Sequence, residues 1–305
     1  MPAALTHYTF VKENVDNKSP YFMETCLGGQ GPDIFFFYAY SFSKRENVKE
    51  VRDFGTLLHH SDFSEIYMNL IKYAKQSEQK EMLFAYLTGL FMHYVLDRNL
   101  HPYIFYRSGF VHDGSEKEKS RFMVAHQYFE SGFDYLYSKR HKTLQNPKKC
   151  VKIPVSSLRE ISKMWSVAAD LMNYDFIKQN TFELAYEDFR FANGFLYSPL
   201  KIKKFFFHLF KKNTSVDALS MPFTCKKAIK EDYLNENNSV WLDCVSGKKQ
   251  NQSIDEMVQH ACKYLPLIPK LLNANDPFVI KIFEDNFDHD GFKIGEEKKF
   301  FKTTN

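Results

Sequence analysis

The stretch Glu81–His101 most constrains what this chain can fold into. It is long, apolar and free of proline until Pro102, and an apolar run of that length reads as a helix rather than a strand. Within it His93, Asp97 and His101 recur at four-residue steps, so a helix stacks all of them on one face. His126 and Glu130 repeat the step on a second periodic segment, Phe122–Tyr137. Imidazole nitrogen and carboxylate oxygen are zinc donors, and helical bundles hold metals by repeating such residues at one-turn spacing. Along the axis His93 and His101 lie about 12 Å apart, too far to share one ion through bonds of about 2 Å. Asp97 sits midway with two oxygens and suits a bridge. The spacing therefore predicts two or more ions along one helix, with Asp97 shared and with His126 and Glu130 completing the ion held by His101. The alternative, ordinary core or surface residues, fits any single histidine better than it fits this set.

The rest of the chain is also read as helical. Phe10, Val11 and Val15 mark a first helix, and Gly28–Pro32 forms a loop before an apolar run, Ile34–Tyr40, that suits a buried strand or a buried helix. Asp62 followed by Glu65 predicts a capping box, opening a helix whose inner face carries Ile66, Leu70, Ile71 and Ala74. Ser108–Glu118 reads as the loop between the two ligand-bearing helices, and Asn146-Pro147 as a second break. Further helices are expected over Leu158–Met172, Phe182–Phe195 and Ser253–Leu272, the last on a loop containing Trp241, with a charged, solvent-exposed tail beyond Asp285. The expectation is an all-α multi-helix bundle, one domain over 1–305, with a metal-binding core at 1–135 and a helical extension at 150–305. The 31 Phe and 18 Tyr imply broad aromatic packing between helices.

Composition narrows the partners. A net charge of +4 is too mild to indicate a nucleic-acid binder, and none is expected. Five widely spaced cysteines without a CxxC pair argue against a disulfide framework. The N-terminus lacks a basic segment followed by an apolar one, and no stretch approaches the roughly 18 apolar residues of a membrane span. A cytoplasmic protein is expected.

The motifs His93-Tyr-Val-Leu-Asp97-Arg-Asn-Leu-His101-Pro and His126-Gln-Tyr-Phe-Glu130 resemble those of the zinc-dependent phospholipase C family, which is related to the fungal three-zinc single-strand nucleases. His7 falls where that family has an early histidine. Gly31-Pro-Asp33 resembles its Gly/Ala-Pro-Asp motif, and Leu58-His59-His60-Ser-Asp62 its Leu-His-x-x-Asp motif. The resemblance covers roughly residues 1–135. It implies that Asp33, His59, His93 and Asp97 hold one zinc and that His101, His126 and Glu130 hold a second. His7 and Asp97, with the N-terminal residue, would hold a third. The spacing to Asp62 favours His59, with His60 as the alternative. Family members that are secreted place an N-terminal Trp on the third zinc; here Pro2, freed by loss of Met1, would take that place.

The chemistry implied is hydrolysis of a phosphate ester, a phospholipid or related phosphodiester, by metal-activated water, with Asp33 accepting the proton. Arg98 and Asn99 adjoin the ligand face, but Arg98 is one step off Asp97 and is expected to point away. Lys201–Lys212, basic and apolar, suits either a core helix or peripheral contact with a membrane. Two other readings stand beside the leading one. His112-Asp113 raises an HD-type nucleotide phosphohydrolase, and loss of catalysis would leave a metal-binding helical scaffold.

Overall fold

The computed structural model describes residues 4–41, 44–109, 116–197, 202–211, 225–273, 289 and 291. Its helices are α1 (Ala4–Asn14), α2 (Phe22–Gly28), α3 (Asp33–Phe36), α4 (Val48–His60), α5 (Phe63–Gln76), α6 (Lys80–Ser108), α7 (Glu116–Arg140), α8 (Val155–Asp170), α9 (Thr181–Leu196), α10 (Ile202–Lys211), α11 (Cys225–Lys230), α12 (Ile254–Cys262) and α13 (Ile268–Asn273). The fold is all-α. Its described strands form one short antiparallel hairpin, Trp241–Leu242 against Lys249–Gln250.

Helix α6 is the axis. Apolar residues surround it on all sides, as expected of a helix that is buried rather than one-faced, and α1, α2, α5, α7, α8, α12 and α13 pack against it. The closest approach is to α2. A Cβ on Gly28 would sit inside the backbone of α6 at Tyr86, and one on Gly89 inside the backbone of α2 at Thr25, so only glycine lets the two helices meet at this depth. The aromatic residues fill the neighbouring space. Phe35, Phe54 and Phe182 pack around Trp165, whose indole N–H donates to Tyr86 Oη at 2.7 Å.

Several expectations are corrected. Helix α6 does not stop at Pro102 but runs on to Ser108. The proline removes only the hydrogen bond to the Arg98 carbonyl, and packing on every side holds the helix through the gap. The run after Pro32 is neither a buried strand nor a full helix; only α3 forms, and Ala39 takes a positive φ of 66° that ends regular structure. Asp62 caps α5 through the Ser64 N–H at 2.8 Å, one position nearer than a capping box uses, whereas Ser253 and Glu256 form a true one on α12. The segment expected as one helix over Ser253–Leu272 is α12, a 3₁₀ turn at Leu265–Leu267 and α13, divided where Pro266 and Pro269 each remove a donor. Helix α7 begins at Glu116, inside the expected loop. His112-Asp113 and Pro2 lie outside the described residues. Cys26, Cys150, Cys244 and Cys262 are free thiols. Among the described residues no helix is long and apolar enough to cross a membrane.

Candidate metal centre

Five elements deliver the site. α1 brings His7, the start of α3 brings Asp33, and the last turn of α4 brings His59. α6 carries His93, Asp97 and His101 on successive turns, and α7 carries His126 and Glu130. Potential ligand atoms fall within 4.8 Å of one another in three groups: His7, Asp33 and His93; His59, His93 and Asp97; His101, His126 and Glu130. His93 and His101 are thus divided between clusters, as their axial separation requires. The two oxygens of Asp97 face different histidines: Oδ1 lies 3.1 Å from His7 Nε2, and Oδ2 lies 3.1 Å from His93 Nε2. His59 Nε2 lies 3.1 Å from Asp33 Oδ1, and His126 Nε2 lies 3.0 Å from Glu130 Oε1.

The other ring nitrogens explain this orientation. Nδ1 of His59 lies 2.7 Å from the Gly55 carbonyl, Nδ1 of His93 3.2 Å from the Gly29 carbonyl, and Nδ1 of His101 2.7 Å from the His289 carbonyl. A carbonyl only accepts, so each neutral ring carries its proton on Nδ1 and presents Nε2 with a lone pair towards the carboxylates. That is the outer support usual for metal-binding histidines. The buried Nε2 of His93 makes no hydrogen bond despite its nearness to Asp97, and Nδ1 of His7 is likewise without one among the described residues. Buried polar atoms left this way cost free energy, and a cation among them would relieve it at His93. Neutral imidazoles with buried carboxylates are a donor set that fits zinc.

The sequence model of a family described as zinc-dependent phospholipase C matches residues 6–175, more than half the chain and the span that contains every residue of the three clusters. The chain belongs to the zinc-dependent phospholipase C family. No curated protein and no solved structure matches it.

The electrostatics of this phospholipase C-family centre turn on burial. Asp97 is 7% exposed and Glu130 1%. Burial by itself raises both carboxyls, yet the neighbouring histidines, His93 foremost for Asp97 and His126 for Glu130, hold them well below the ordinary range. Asp33 is lowered too, against burial, with the hydrogen bond and charge of His59 among the causes. Burial, with the charge of His93, lowers His7 against the pull of Asp97; at His93 the nearby Asp97 overcomes burial and raises the ring.

Every residue of the expected ligand set is in a cluster, and helix phase turns the neighbours His59 and His60 in different directions. His59 is buried in the site, while His60, one position on, is exposed. Arg98 lies over the Tyr264 ring at 5.2 Å, and Asn99 donates to the Val95 carbonyl. The tail expectation is corrected at its two described residues: His289 and Gly291 are buried, His289 at 0% exposure. Sequence reasoning missed the supporting groups altogether, namely the Gly29, Gly55 and His289 carbonyls and Ser108, whose Oγ lies 3.4 Å from His126 Nδ1. Backbone carbonyls leave no residue-type signal. For His289 the only signal was a histidine in an otherwise charged tail.

Proposed function

We propose that the protein is a zinc-dependent phosphoesterase that hydrolyses a phospholipid or a related phosphodiester. The observation that carries this reading is three imidazole–carboxylate groups gathered along α6, where His93, Asp97 and His101 lie on successive turns, with Asp97 turning its oxygens to different histidines. In this reading Asp33, His59, His93 and Asp97 hold one zinc, His101, His126 and Glu130 a second, and His7 with Asp97 a third. Bound zinc supplies charge stabilisation for the phosphoryl oxygens and lowers the pKa of a water towards about 7. Asp33, kept ionised by its neighbours, accepts the proton of the attacking water. Phe36 against His59 and Phe105 against His101 exclude bulk water from the rings. Carbonyl-anchored Nδ1 atoms hold the imidazoles in one tautomer throughout.

The substrate class agrees with the outer face of α10, where Ile202, Phe205, Phe206 and Leu209 are exposed with Lys203 among them. An amphipathic helix of this kind lies on an anionic lipid surface with its apolar face in the headgroup boundary. Co-sedimentation with phosphatidylserine vesicles, lost in Phe205→Asp, tests that contact.

One zinc-loaded preparation assayed on phosphatidylcholine, a chromogenic phosphodiester, single-stranded DNA and nucleotides tests the function. Release of a phosphorylated head group is expected. Cleavage of nucleotides alone would move the protein to the nucleotide phosphohydrolases. No turnover on any substrate at full zinc loading would leave a metal-binding scaffold.

A further inference from the structure

His289 lies outside the residues that match the family, yet both of its backbone groups reach residues of the metal centre. Its N–H donates to the His59 carbonyl at 3.0 Å. That carbonyl sits in the last turn of α4, where intrahelical donors run out. Its own carbonyl accepts from His101 Nδ1 at 2.7 Å. The ring fills the space between, with centroids 4.8 Å from His59, 5.6 Å from His93, 4.9 Å from Phe63 and 5.1 Å from Tyr94. It is its backbone N–H and carbonyl that touch the candidate ligands' own groups, and through them His289 acts as a support of the centre.

Two residues on, Gly291 shows how the segment is seated. It has a φ of +84°, and a Cβ there would lie 3.0 Å from the Arg98 carbonyl oxygen and 3.1 Å from Pro102 Cγ. Arg98 is the residue whose carbonyl loses its i+4 donor to Pro102.

We infer that the segment carrying His289 and Gly291 is a built part of the metal centre, and that the His289 carbonyl is the positioning group that keeps His101 protonated on Nδ1 and presenting Nε2. The inference deepens the zinc reading and rests on it for its consequence, but the positioning itself is testable without metal. Without this acceptor the His101 ring is free to change tautomer or rotate, and removal of such outer partners typically costs 10–100-fold in metal affinity.

The experiment compares full-length wild type with Gly291→Val, which drives the segment off α6, and with the milder Gly291→Ala, which places the same first carbon at the same position. In metal-free protein, NMR of the imidazoles should show a hydrogen-bonded, slowly exchanging Nδ1 proton on His101 in wild type and its loss in Gly291→Val. Zinc titration against a chromophoric chelator should then show one class of ion weakened about 10–100-fold in Gly291→Val, and by less in Gly291→Ala. A His101 Nδ1 proton absent from wild type, or unchanged in both variants, overturns the inference; so does unchanged affinity for every ion. If wild type itself binds no zinc, the functional reading falls, while the proton readout still decides the positioning. Should Gly291→Val fail to fold, Gly291→Ala alone carries the same comparison.

Discussion

Asp97 is the residue on which the centre turns, because each of its oxygens faces a different imidazole. Asp97→Asn keeps the shape but removes the charge that raises His93, so it should lose more zinc than any single His→Ala change; elemental analysis after dialysis measures this directly. Acid should unfold the metal-free protein through the same carboxylates. Asp33, Asp97 and Glu130 all have folded values below their unfolded ones. Their contribution is therefore complete above the unfolded values, about 4, and is lost as pH falls below that. Asp134 has the opposite sign. Burial pushes it up to about 7, so its charge costs stability progressively as pH rises from about 4 to 7. Relative to wild type, Asp134→Asn should become more favourable across that window and level off above it, read by urea unfolding at stepped pH. A difference independent of pH would refute the assignment.

At the scale of elements, His7 on α1 and His93 on α6 are positioned by contacts made far along the chain. Asp134 on α7 accepts from the Thr6 N–H at 2.6 Å, the Thr6 hydroxyl at 2.7 Å and the Leu5 N–H at 3.3 Å. It caps the first turn of α1 from another helix and so places His7. Asp134→Ala removes the cap and leaves buried donors, at a cost of about 1–3 kcal/mol, and should weaken the ion that uses His7. The α2–α6 contact supports His93 in a similar way, through the Gly29 carbonyl. Gly89→Ala forces those backbones apart. It should destabilise the fold by about 1–3 kcal/mol and also lower zinc content, whereas a purely structural fault would leave the zinc content of the folded fraction unchanged.

Across the whole molecule, one apolar cluster runs from Ala4 to Leu272. α12 and α13, both beyond the family-matched residues, pack on the same α6 that carries the ligands. On that ground we read 1–305 as one domain, with the C-terminal extension completing the core instead of standing apart from it. A chain ended at residue 175 should then be insoluble or molten, shown by lost near-ultraviolet circular dichroism; an independently folded, zinc-binding 1–175 would disprove this. Zinc should stabilise the intact protein by mass action, by about 2.7 kcal/mol at a free concentration a hundred times the dissociation constant, and a chelator should lower its melting temperature accordingly.

The clusters' residues on α6 and α7 were legible in the sequence because a helix converts four-residue spacing into a common face, whatever surrounds it. His93, Asp97 and His101, then His126 and Glu130, needed no knowledge of the fold beyond helicity, and the separation of His93 from His101 into different clusters followed from the rise per residue alone. His7, Asp33 and His59 were reached through family motifs, since no local periodicity links α1, α3 and α4. Tertiary structure alone decided the rest. It turned Nε2 of His59, His93 and His101 inward by offering Nδ1 a carbonyl, from Gly55 one turn back on α4, from Gly29 in a turn, and from His289 far along the chain. It also carried α6 past Pro102, and buried His289 and Gly291 in a stretch that composition assigned to solvent. These outcomes depend on backbone groups and on contacts between residues remote in the chain, and neither leaves a mark in residue type or spacing.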